Sequence, residues 1–310
     1  MRKPNHNLTM PPGHISLEPE LGKFYQDFTG AFEHFEQRYF GDFDRNGIPM
    51  YGFGKDAYYN QIFIIQYGLI SHDFIIDGED IESNTRKLKS CVAWMEKKEE
   101  DYGDTIIWRN DFPNKRYGLK PGWISGMYQG QAMSLYLRYG QMFGEETKYI
   151  EKAKRVYDFF EVDYRDGGVK RFDSRNNLWF EEYPSEKPSF VLNGYIYALL
   201  GIYDLWRVTG EAEIKTKIDQ CIQTLQDSLH LYDSGYWSIY DQLKKELATR
   251  YYHKNIHIPL MDIMHKLSGE EVFLKYKQRW QTQFDSKFNK TFMNVMYRLK
   301  PRIDNLLRST

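Results

Sequence analysis

Apolar residues recur at helical spacing along most of the chain, in segments separated by breaks that glycine or proline marks. In the segment that begins at residue 123, Ile124, Met127, Gln131 and Leu135 share one side of a helix. The helical segments predicted in this way cover residues 21–40, 58–71, 83–99, 123–143, 147–160, 190–209, 212–229, 252–267 and 271–299. About four helix pairs of similar length follow one another. The pattern predicts a mainly α fold, an open or incomplete α/α toroid built as a barrel of helix hairpins.

One interruption of the helical pattern reads as a β-hairpin. Residues 167–172 and 178–183 are rich in strand-forming side chains, and the turn-forming residues 173–177 lie between them. Strand alternation sends Glu181 and Glu182 to opposite faces, so only one of the two carboxylates faces a given cleft unless a bulge intervenes. A hairpin that projects from helix pairs is well placed to carry site residues.

The pattern divides the chain into three parts. Prolines and a glycine among polar residues predict a flexible N-terminal arm over residues 1–15. Residues 16–268 form the predicted α/α barrel, and residues 269–310 form a basic, amphipathic, helical extension. The apolar stripe of that extension could contact an anionic membrane surface or a partner weakly, or it could belong to a solvated terminal helix that closes the barrel.

Composition narrows the classes of function. The 310 residues carry 42 Lys and Arg against 43 Asp and Glu, a balance that gives no global electrostatic reason to bind nucleic acid. Tyrosine occurs 25 times, and its flat face with a polar tip suits a carbohydrate groove as well as a core. Cys91 and Cys221 are too few for a disulfide framework and lack metal-ligand spacing, so we expect free, buried thiols and no metal.

The chain lacks the sequence features of export. Its first residues are polar, and the apolar run around residues 62–65 is too short to cross a bilayer. We therefore expect a cytoplasmic protein, or one that has been trimmed.

Six motifs of this chain are specific enough to compare with known families. They are Glu-Glu-Tyr-Pro at 181–184, Ile-Tyr-Asp at 239–241, Arg-Tyr-Tyr-His at 250–253, Tyr-Gly-Leu-Lys-Pro-Gly-Trp-Ile-Ser at 117–125, Gln-Gly-Gln at 129–131 and Phe-Val-Leu-Asn-Gly at 190–194. Together they resemble the motifs of the D-glucuronyl C5-epimerases, enzymes that modify polysaccharides, and the resemblance covers about residues 45 to 265. It implies an epimerase-like catalytic domain within residues 16–268.

The resemblance also implies site residues. By motif matching, the catalytic residues are Glu182, Tyr183, Tyr240 and Tyr252. The residues expected to bind substrate are Arg116, Tyr117, Lys120, Trp123, Gln129, Gln131, Asn193, Arg250 and His253.

Epimerisation at C5 of a uronate needs a proton removed α to the carboxylate and another returned to the opposite face, so two acid–base groups must face each other across the sugar. A tyrosine can serve if a cation or hydrogen bonds lower its pKa, and the cation can also neutralise the substrate carboxylate. This set of Tyr, Glu and Arg or Lys needs no metal or other cofactor.

Two departures from the family pattern bear on the site. The basic residue that follows Tyr-Asp-Leu in the family is not matched by Gln242 or Leu243, and Lys244 and Lys245 are the candidate substitutes. The second histidine of the family's Tyr-His-x-x-His would fall at Ile256, and His257 is displaced by one, so His257 receives no role.

The leading hypothesis is a cofactor-independent epimerase that converts D-glucuronate to L-iduronate within a heparosan-like polysaccharide. A uronate lyase begins with the same proton abstraction and remains an alternative, as does an anionic-glycan-binding protein that has lost the chemistry. The expected partner is an anionic polymer that contains uronate, and no binding of nucleic acid is expected. Formation of a homodimer stays an open possibility.

Overall fold

The computed structural model describes residues 8–307. The helices are α1 (Phe32–Glu36), α2 (Gln61–Ile76), α3 (Ile81–Lys97), α4 (Gly126–Phe143), α5 (Glu146–Asp158), α6 (Leu192–Thr209), α7 (Ala212–Ser228), α8 (Arg250–Tyr252), a π-helix (His253–His257), α9 (Ile258–Ser268), α10 (Glu271–Asp285) and α11 (Lys287–Leu307). The strands are β1 (Glu100–Tyr102), β2 (Thr105–Ile107), β3 (Lys170–Phe172) and β4 (Leu178–Phe180). Helices dominate, as the hydrophobic pattern predicts.

Four helix pairs form the body of the part of the chain that the structure describes. The inner helices α2, α4 and α6 pack side by side in chain order, and α6 also contacts the π-helix that leads into α9. The outer helices α3, α5, α7 and α10 each pack on the inner helix that precedes them. The inner helices α4 and α6 are buried along most of their length, whereas α5 buries a single stripe of Tyr149, Ala153 and Val156. That difference in amphipathicity separates the inner from the outer layer.

Glycines let the two central helices touch. A Cβ built on Gly130 of α4 would lie 2.5 Å from Ala198 Cα of α6, and one built on Gly201 of α6 would overlap the Gly130 backbone. Any larger side chain at either position would push the helices apart, so these two glycines set the closest approach in the inner layer.

Two β-hairpins interrupt the helices of the described region. The predicted hairpin is confirmed as β3 and β4, which pair antiparallel with Arg171 opposite Trp179. Its turn is held by the Asp173 side chain, which accepts backbone hydrogen bonds from Arg175 and Asn177 at 2.8 and 2.9 Å. The hairpin of β1 and β2 was not predicted; its turn contains Gly103 at φ 62°.

The helix predicted over residues 21–40 is wrong for most of its length, because only Phe32–Glu36 is α-helical. The preceding backbone bonds to the body instead, with Phe24 N–H donating to Asp73 Oδ1 at 3.1 Å. Of the predicted arm, residues 1–7 lie outside the described residues; Met10 is buried and Gly13 N–H donates to the Tyr25 carbonyl at 2.7 Å.

The C-terminal extension consists of two helices rather than one, since the predicted helix 271–299 breaks at Ser286. Met293 of α11 is buried, and Tyr297 Oη donates a hydrogen bond to the Ala248 carbonyl at 2.5 Å. Phe288, in contrast, is 78% exposed. The contact of this helix with a membrane or a partner stays a prediction.

Within residues 8–307, none of the helices combines the length and the apolar character that crossing a bilayer requires.

Candidate active site

Three loops meet at one end of the helix pairs and enclose a cavity of about 210 Å³. The first loop leads from β2 to α4, the second from β4 to α6, and the third from α7 to α8. The residues that line the cavity are Asn114, Arg116, Tyr117, Tyr183, Tyr240, Glu246, Leu247, Thr249 and Tyr252. The structure thus brings together three of the four predicted catalytic residues and two of the predicted substrate-binding residues.

The fourth predicted catalytic residue, Glu182, lies buried beside the cavity with only 4% of its surface exposed. Its side chain faces the first turn of α6, where a Cβ on Gly194 would overlap the carboxyl group. Within the described residues, Glu182 Oε2 has no hydrogen-bond partner. Burial raises the pKa of Glu182 to about 7, and a hydrogen bond with Tyr183 opposes that rise. Glu182 can therefore exchange a proton near neutral pH.

Glu181 points away from the cavity and holds the loop behind it. Its carboxylate accepts hydrogen bonds from Ser189 Oγ at 2.5 Å and from the Phe190 N–H at 3.1 Å, and Arg171 Nη1 lies 3.3 Å away. Phe190 has a positive φ of 43°, a strained value for a residue with a side chain. Glu181 and Ser189 thus position the segment that leads from the hairpin into α6.

The ring of Tyr183 forms one wall of the cavity. It stacks on Tyr117 with centroids 4.2 Å apart and planes 13° from parallel, and Trp123 packs against it at 5.6 Å. Trp123 is itself held by its Nε1–H, which donates to the Phe112 carbonyl at 2.8 Å. This aromatic stack fixes the orientation of the Tyr183 hydroxyl relative to Glu182.

Tyr240 and Tyr252 form the second tyrosine pair, with ring centroids 4.9 Å apart and planes at 74°. Burial raises the pKa of Tyr252 to about 12; the Glu182 charge acts in the same direction, and a hydrogen bond with Tyr240 and the Arg116 charge oppose it. Burial also raises the pKa values of Tyr183 and Tyr240 well above their usual range. All three hydroxyls therefore keep their protons at neutral pH until a reaction partner takes them.

Arg116 connects the tyrosines to two carboxylates. Its Nη2 lies 3.2 Å from Asp241 Oδ2 and its Nη1 lies 3.1 Å from Glu246 Oε2. The guanidinium also lies 5.7 Å from the ring centroid of Tyr240. Tyr117 Oη donates to Asp241 Oδ2 at 2.8 Å. Contacts with Tyr117, Glu246 and Asp241 outweigh burial and raise the pKa of Arg116, so it stays charged.

Several predicted substrate-binding residues lie away from the cavity. Gln129 and Gln131 are fully buried in α4, and Gln129 Nε2 donates to the Ile106 carbonyl at 3.3 Å. Lys120 is exposed on the first loop, and the exposed Arg250 places its guanidinium 5.6 Å from the Phe284 ring. Asn193 is 2% exposed at the start of α6, next to the glycine that faces Glu182.

His253 is a buried, packed histidine in this structure. Its ring stacks on Trp237 at 3.8 Å, its Nδ1 lies 2.8 Å from Ser238 Oγ, and its Nε2 lies 3.1 Å from the Trp280 carbonyl. Burial lowers its pKa to about 3, so the ring is neutral. Its contacts support the helix that carries Tyr252 rather than the cavity itself.

Sequence reasoning gave no role to some residues that shape the site. Asp241 is fully buried against Arg116 and Tyr117, and its place directly after Tyr240 in the Ile-Tyr-Asp motif was the available signal. Tyr128 of α4 is 5% exposed, and the charge of Glu182 contributes to its raised pKa. Nothing in the local sequence marked Glu246.

Among residues 8–307, no three His, Cys, Asp or Glu side chains come together as metal ligands would. The expectation of a site without metal stays a prediction.

A comparison of the sequence with known families identifies the family of this chain. The family model for the C-terminus of D-glucuronyl C5-epimerase matches residues 102–282, which is more than half of the chain. The chain belongs to the D-glucuronyl C5-epimerase family. The matched region contains all four residues predicted to be catalytic in this family member.

Two relatives of this family member are similar to more than half of the chain. The D-glucuronyl C5-epimerase of Caenorhabditis elegans is 30% identical over 217 residues, which cover 64% of this chain and 35% of the relative. An uncharacterised protein of Methanocaldococcus jannaschii is 33% identical over 180 residues, which cover 57% of each chain. The chain thus spans about a third of the length of the C. elegans relative and somewhat over half of the length of the M. jannaschii relative.

A solved structure supports the fold. The cellobiose 2-epimerase of Bacillus thermoamylovorans B4167 superposes with a TM-score of 0.53 at 13% identity, over 84% of this chain and 72% of that chain. That protein is an α/α toroid, so the predicted fold class of this epimerase-family chain is confirmed.

Proposed function

We propose that this chain is a cofactor-independent epimerase that interconverts D-glucuronate and L-iduronate residues within a heparosan-like polysaccharide. The observation that carries the proposal is the buried Glu182, whose pKa is raised to about 7 and which is hydrogen-bonded to Tyr183 on the wall of a tyrosine-lined cavity. A group that titrates near neutral pH is suited to general acid–base catalysis. Membership of the D-glucuronyl C5-epimerase family supports this reaction class.

In the proposed mechanism, the two tyrosine pairs act on opposite faces of the sugar. Tyr183 Oη takes the C5 proton while its own proton passes to Glu182, and the electron pair of the broken C5–H bond spreads into the substrate carboxylate. Arg116 stabilises the charge that develops on that carboxylate. Tyr252, supported by its hydrogen bond with Tyr240, then donates a proton to the other face of C5. The reverse reaction uses the same groups with their roles exchanged.

An anionic polymer also suits the three loops that form the cavity. Lys120, Lys187 and Lys245 are exposed on the first, second and third loops, so each loop carries a cation on its surface. These lysines can meet carboxylates on neighbouring residues of a polymer, at positions beyond the one that reacts.

The proposal is tested by incubating the protein with heparosan in deuterated water and following C5 of the uronate by NMR and mass spectrometry. We expect deuterium at C5 together with new iduronate signals. Tyr183→Phe, Tyr252→Phe and Glu182→Gln should each slow exchange by at least about 100-fold, because each removes a proton-transfer group.

Other outcomes of the same experiment identify the alternatives. An unsaturated product that absorbs in the ultraviolet would indicate a lyase. Saturable binding of heparosan with no exchange in the wild-type protein would contradict epimerisation of this polymer and favour a glycan-binding protein.

A further inference from the structure

Helix α11 leaves an apolar stripe uncovered along one side. Phe288, Phe292, Val295 and Met296 follow one another at helical spacing, which places them on the same side of the helix. The exposed fractions are 78% for Phe288, 46% for Val295 and 36% for Met296, and the Phe292 ring centroid lies 6.5 Å from that of Phe288. Single exposed apolar residues are ordinary on a protein surface, whereas a row of large ones on one helix indicates a contact surface.

Contacts with the body prevent the helix from turning this apolar stripe inward. Met293 is 2% exposed, and Asn289 Nδ2 donates to the Tyr236 carbonyl at 3.1 Å. Tyr297 Oη donates to the Ala248 carbonyl at 2.5 Å. Residues 289, 293 and 297 are four apart, so they form a second side of the helix, the one that faces the body. The apolar stripe is therefore held at the surface.

Cations at the start of α11 lie without carboxylate partners. Lys290 Nζ lies 4.6 Å from the centre of the Phe284 ring, and the Arg250 guanidinium lies 5.6 Å from the same centre. Lys287 is exposed in the first turn of α11, next to Phe288. Among the side chains of residues 8–297, no carboxylate forms an ion pair with any of these three cations. This basic patch therefore attracts an anion.

The charge of the whole helix favours a lipid surface over a second copy of the chain. Helix α11 carries five Lys or Arg against one Asp, although the complete chain is nearly neutral. Surplus cations combined with a stripe of large apolar side chains are typical of helices that lie in the interface of an anionic bilayer. Two copies of α11 packed on each other would bring like charges together. The helix also lies beyond residue 282, where the family match ends.

We propose that α11 docks the protein on the surface of an anionic lipid bilayer. The apolar stripe enters the boundary between headgroups and acyl chains, and the basic patch lies among the lipid phosphates. Apolar burial and electrostatic attraction contribute together, and salt weakens the second contribution. The docking is independent of the proposed reaction, because α11 does not line the cavity.

The test is flotation of the full chain with two kinds of vesicle, one of phosphatidylcholine alone and one of phosphatidylcholine mixed with phosphatidylserine. We expect binding to the mixed vesicles that added salt weakens, and much weaker binding to the neutral ones. Phe288→Ser should weaken binding to the mixed vesicles by about tenfold, because it removes a large apolar side chain from the interface. The control Phe172→Ser, whose ring is 45% exposed on β3, should bind like the wild type.

A second pair of variants tests the basic patch. Lys287→Gln combined with Lys290→Gln should weaken binding to the mixed vesicles by about tenfold, since it removes two cations from the lipid surface. Lys97→Gln combined with Lys98→Gln makes the same change in net charge at the exposed end of α3 and should match the wild type.

Absence of binding to the mixed vesicles would overturn the proposal, as would equal binding by the wild type and Phe288→Ser. Equal losses in the two lysine variants would show that net charge, and not this patch, attracts the vesicles. Two further results would replace the bilayer by another occupant. Self-association in sedimentation that Phe288→Ser abolishes, without vesicle binding, would assign the apolar stripe to a second copy. Retention on immobilised heparosan that depends on Lys287 and Lys290 but not on Phe288, again without vesicle binding, would assign the basic patch to the polymer.

Discussion

At the scale of single residues, the neighbours of a carboxyl group decide its chemistry. Glu181 and Glu182 are adjacent in sequence and both are buried. Glu181 accepts hydrogen bonds from Ser189 and Phe190 and lies beside Arg171. Its role is to hold the loop that leads into α6. Glu182 lies near Tyr183 and a glycine, with one oxygen unpartnered among the described residues. Adjacent, identical residues thus receive different roles because the chain beyond β4, which ends at Phe180, turns their side chains toward different neighbours.

Gly194 gives Glu182 the space that it occupies. In Gly194→Ala, the new methyl group would overlap the Glu182 carboxyl group and displace it from Tyr183. We expect at least about a 100-fold loss of C5 exchange, since a misplaced proton-transfer group loses its contribution. The helix itself should tolerate alanine, which favours helix by about 1 kcal/mol over glycine.

The matched control is Gly22→Ala, where a Cβ meets no atom within 4 Å. Full exchange by Gly194→Ala with an unchanged melting temperature would contradict this role.

The raised pKa of Glu182 predicts how stability depends on pH. The pKa rises from 4.5 to about 7 on folding, so the unfolded chain loses this proton first as the pH rises. The stabilisation is fully present below pH 4.5 and is lost as the pH passes through 7. At about 1.4 kcal/mol per pKa unit, the loss is at most about 3–4 kcal/mol. Urea unfolding of wild type and Glu182→Gln at pH 5 and pH 8 should show a smaller decrease in the free energy of unfolding for the variant. Equal decreases would show that Glu182 keeps an ordinary pKa.

At the scale of elements, helices with a strong hydrophobic period were the most predictable. The ends of α4, α6 and α7 fall within three residues of the predicted ends, and the β3–β4 hairpin was recognised from its turn residues. The predicted helix over residues 21–40 failed because backbone groups near its start find partners on α2 and α4 instead. A pattern within one segment cannot reveal a competing partner that lies far away in sequence.

A π-helix carries both His253 and His257. The family spacing would put the second histidine of Tyr-His-x-x-His at Ile256, whereas this chain has it at His257. Residues four apart lie close together along a helix, and the Nδ1 atoms of both rings lie 2.8 Å from Ser238 Oγ. The two histidines thus contact one serine despite the different spacing.

At the scale of the whole molecule, a buried ionic cluster attaches the N-terminal segment to the toroid. Asp204 of α6 lies 2.5 Å from Arg138 Nη1 of α4 and 3.7 Å from Arg207 Nη1, and it accepts a hydrogen bond from Tyr25 Oη at 2.7 Å. The two arginines in turn donate to backbone carbonyls of the segment at Glu18, Glu20 and Gly22. Asp204 therefore holds the two arginines through which α4 and α6 bind the backbone of the segment.

Asp204→Asn should destabilise the protein by about 3–5 kcal/mol, because it leaves two buried arginines without their counter-charge. We expect a lower midpoint in urea unfolding and faster tryptic cleavage at Lys23. The matched control is Asp219→Asn, whose partner Lys215 and carboxylate are exposed, and it should cost less than about 1 kcal/mol. Equal stabilities of the two variants would show that the cluster does not hold the segment.

The sequence alone determined the helical class of this chain, its hairpin and its family, because these depend on local periodicity, turn chemistry and contiguous motifs. It also named Glu182, Tyr183, Tyr240 and Tyr252. Only the tertiary structure decided that Arg116 meets Asp241 and Glu246, that Gly194 makes room for Glu182, and that His253 packs on Trp237. These contacts join segments far apart in the chain, and such pairings depend on how the helices and loops pack together.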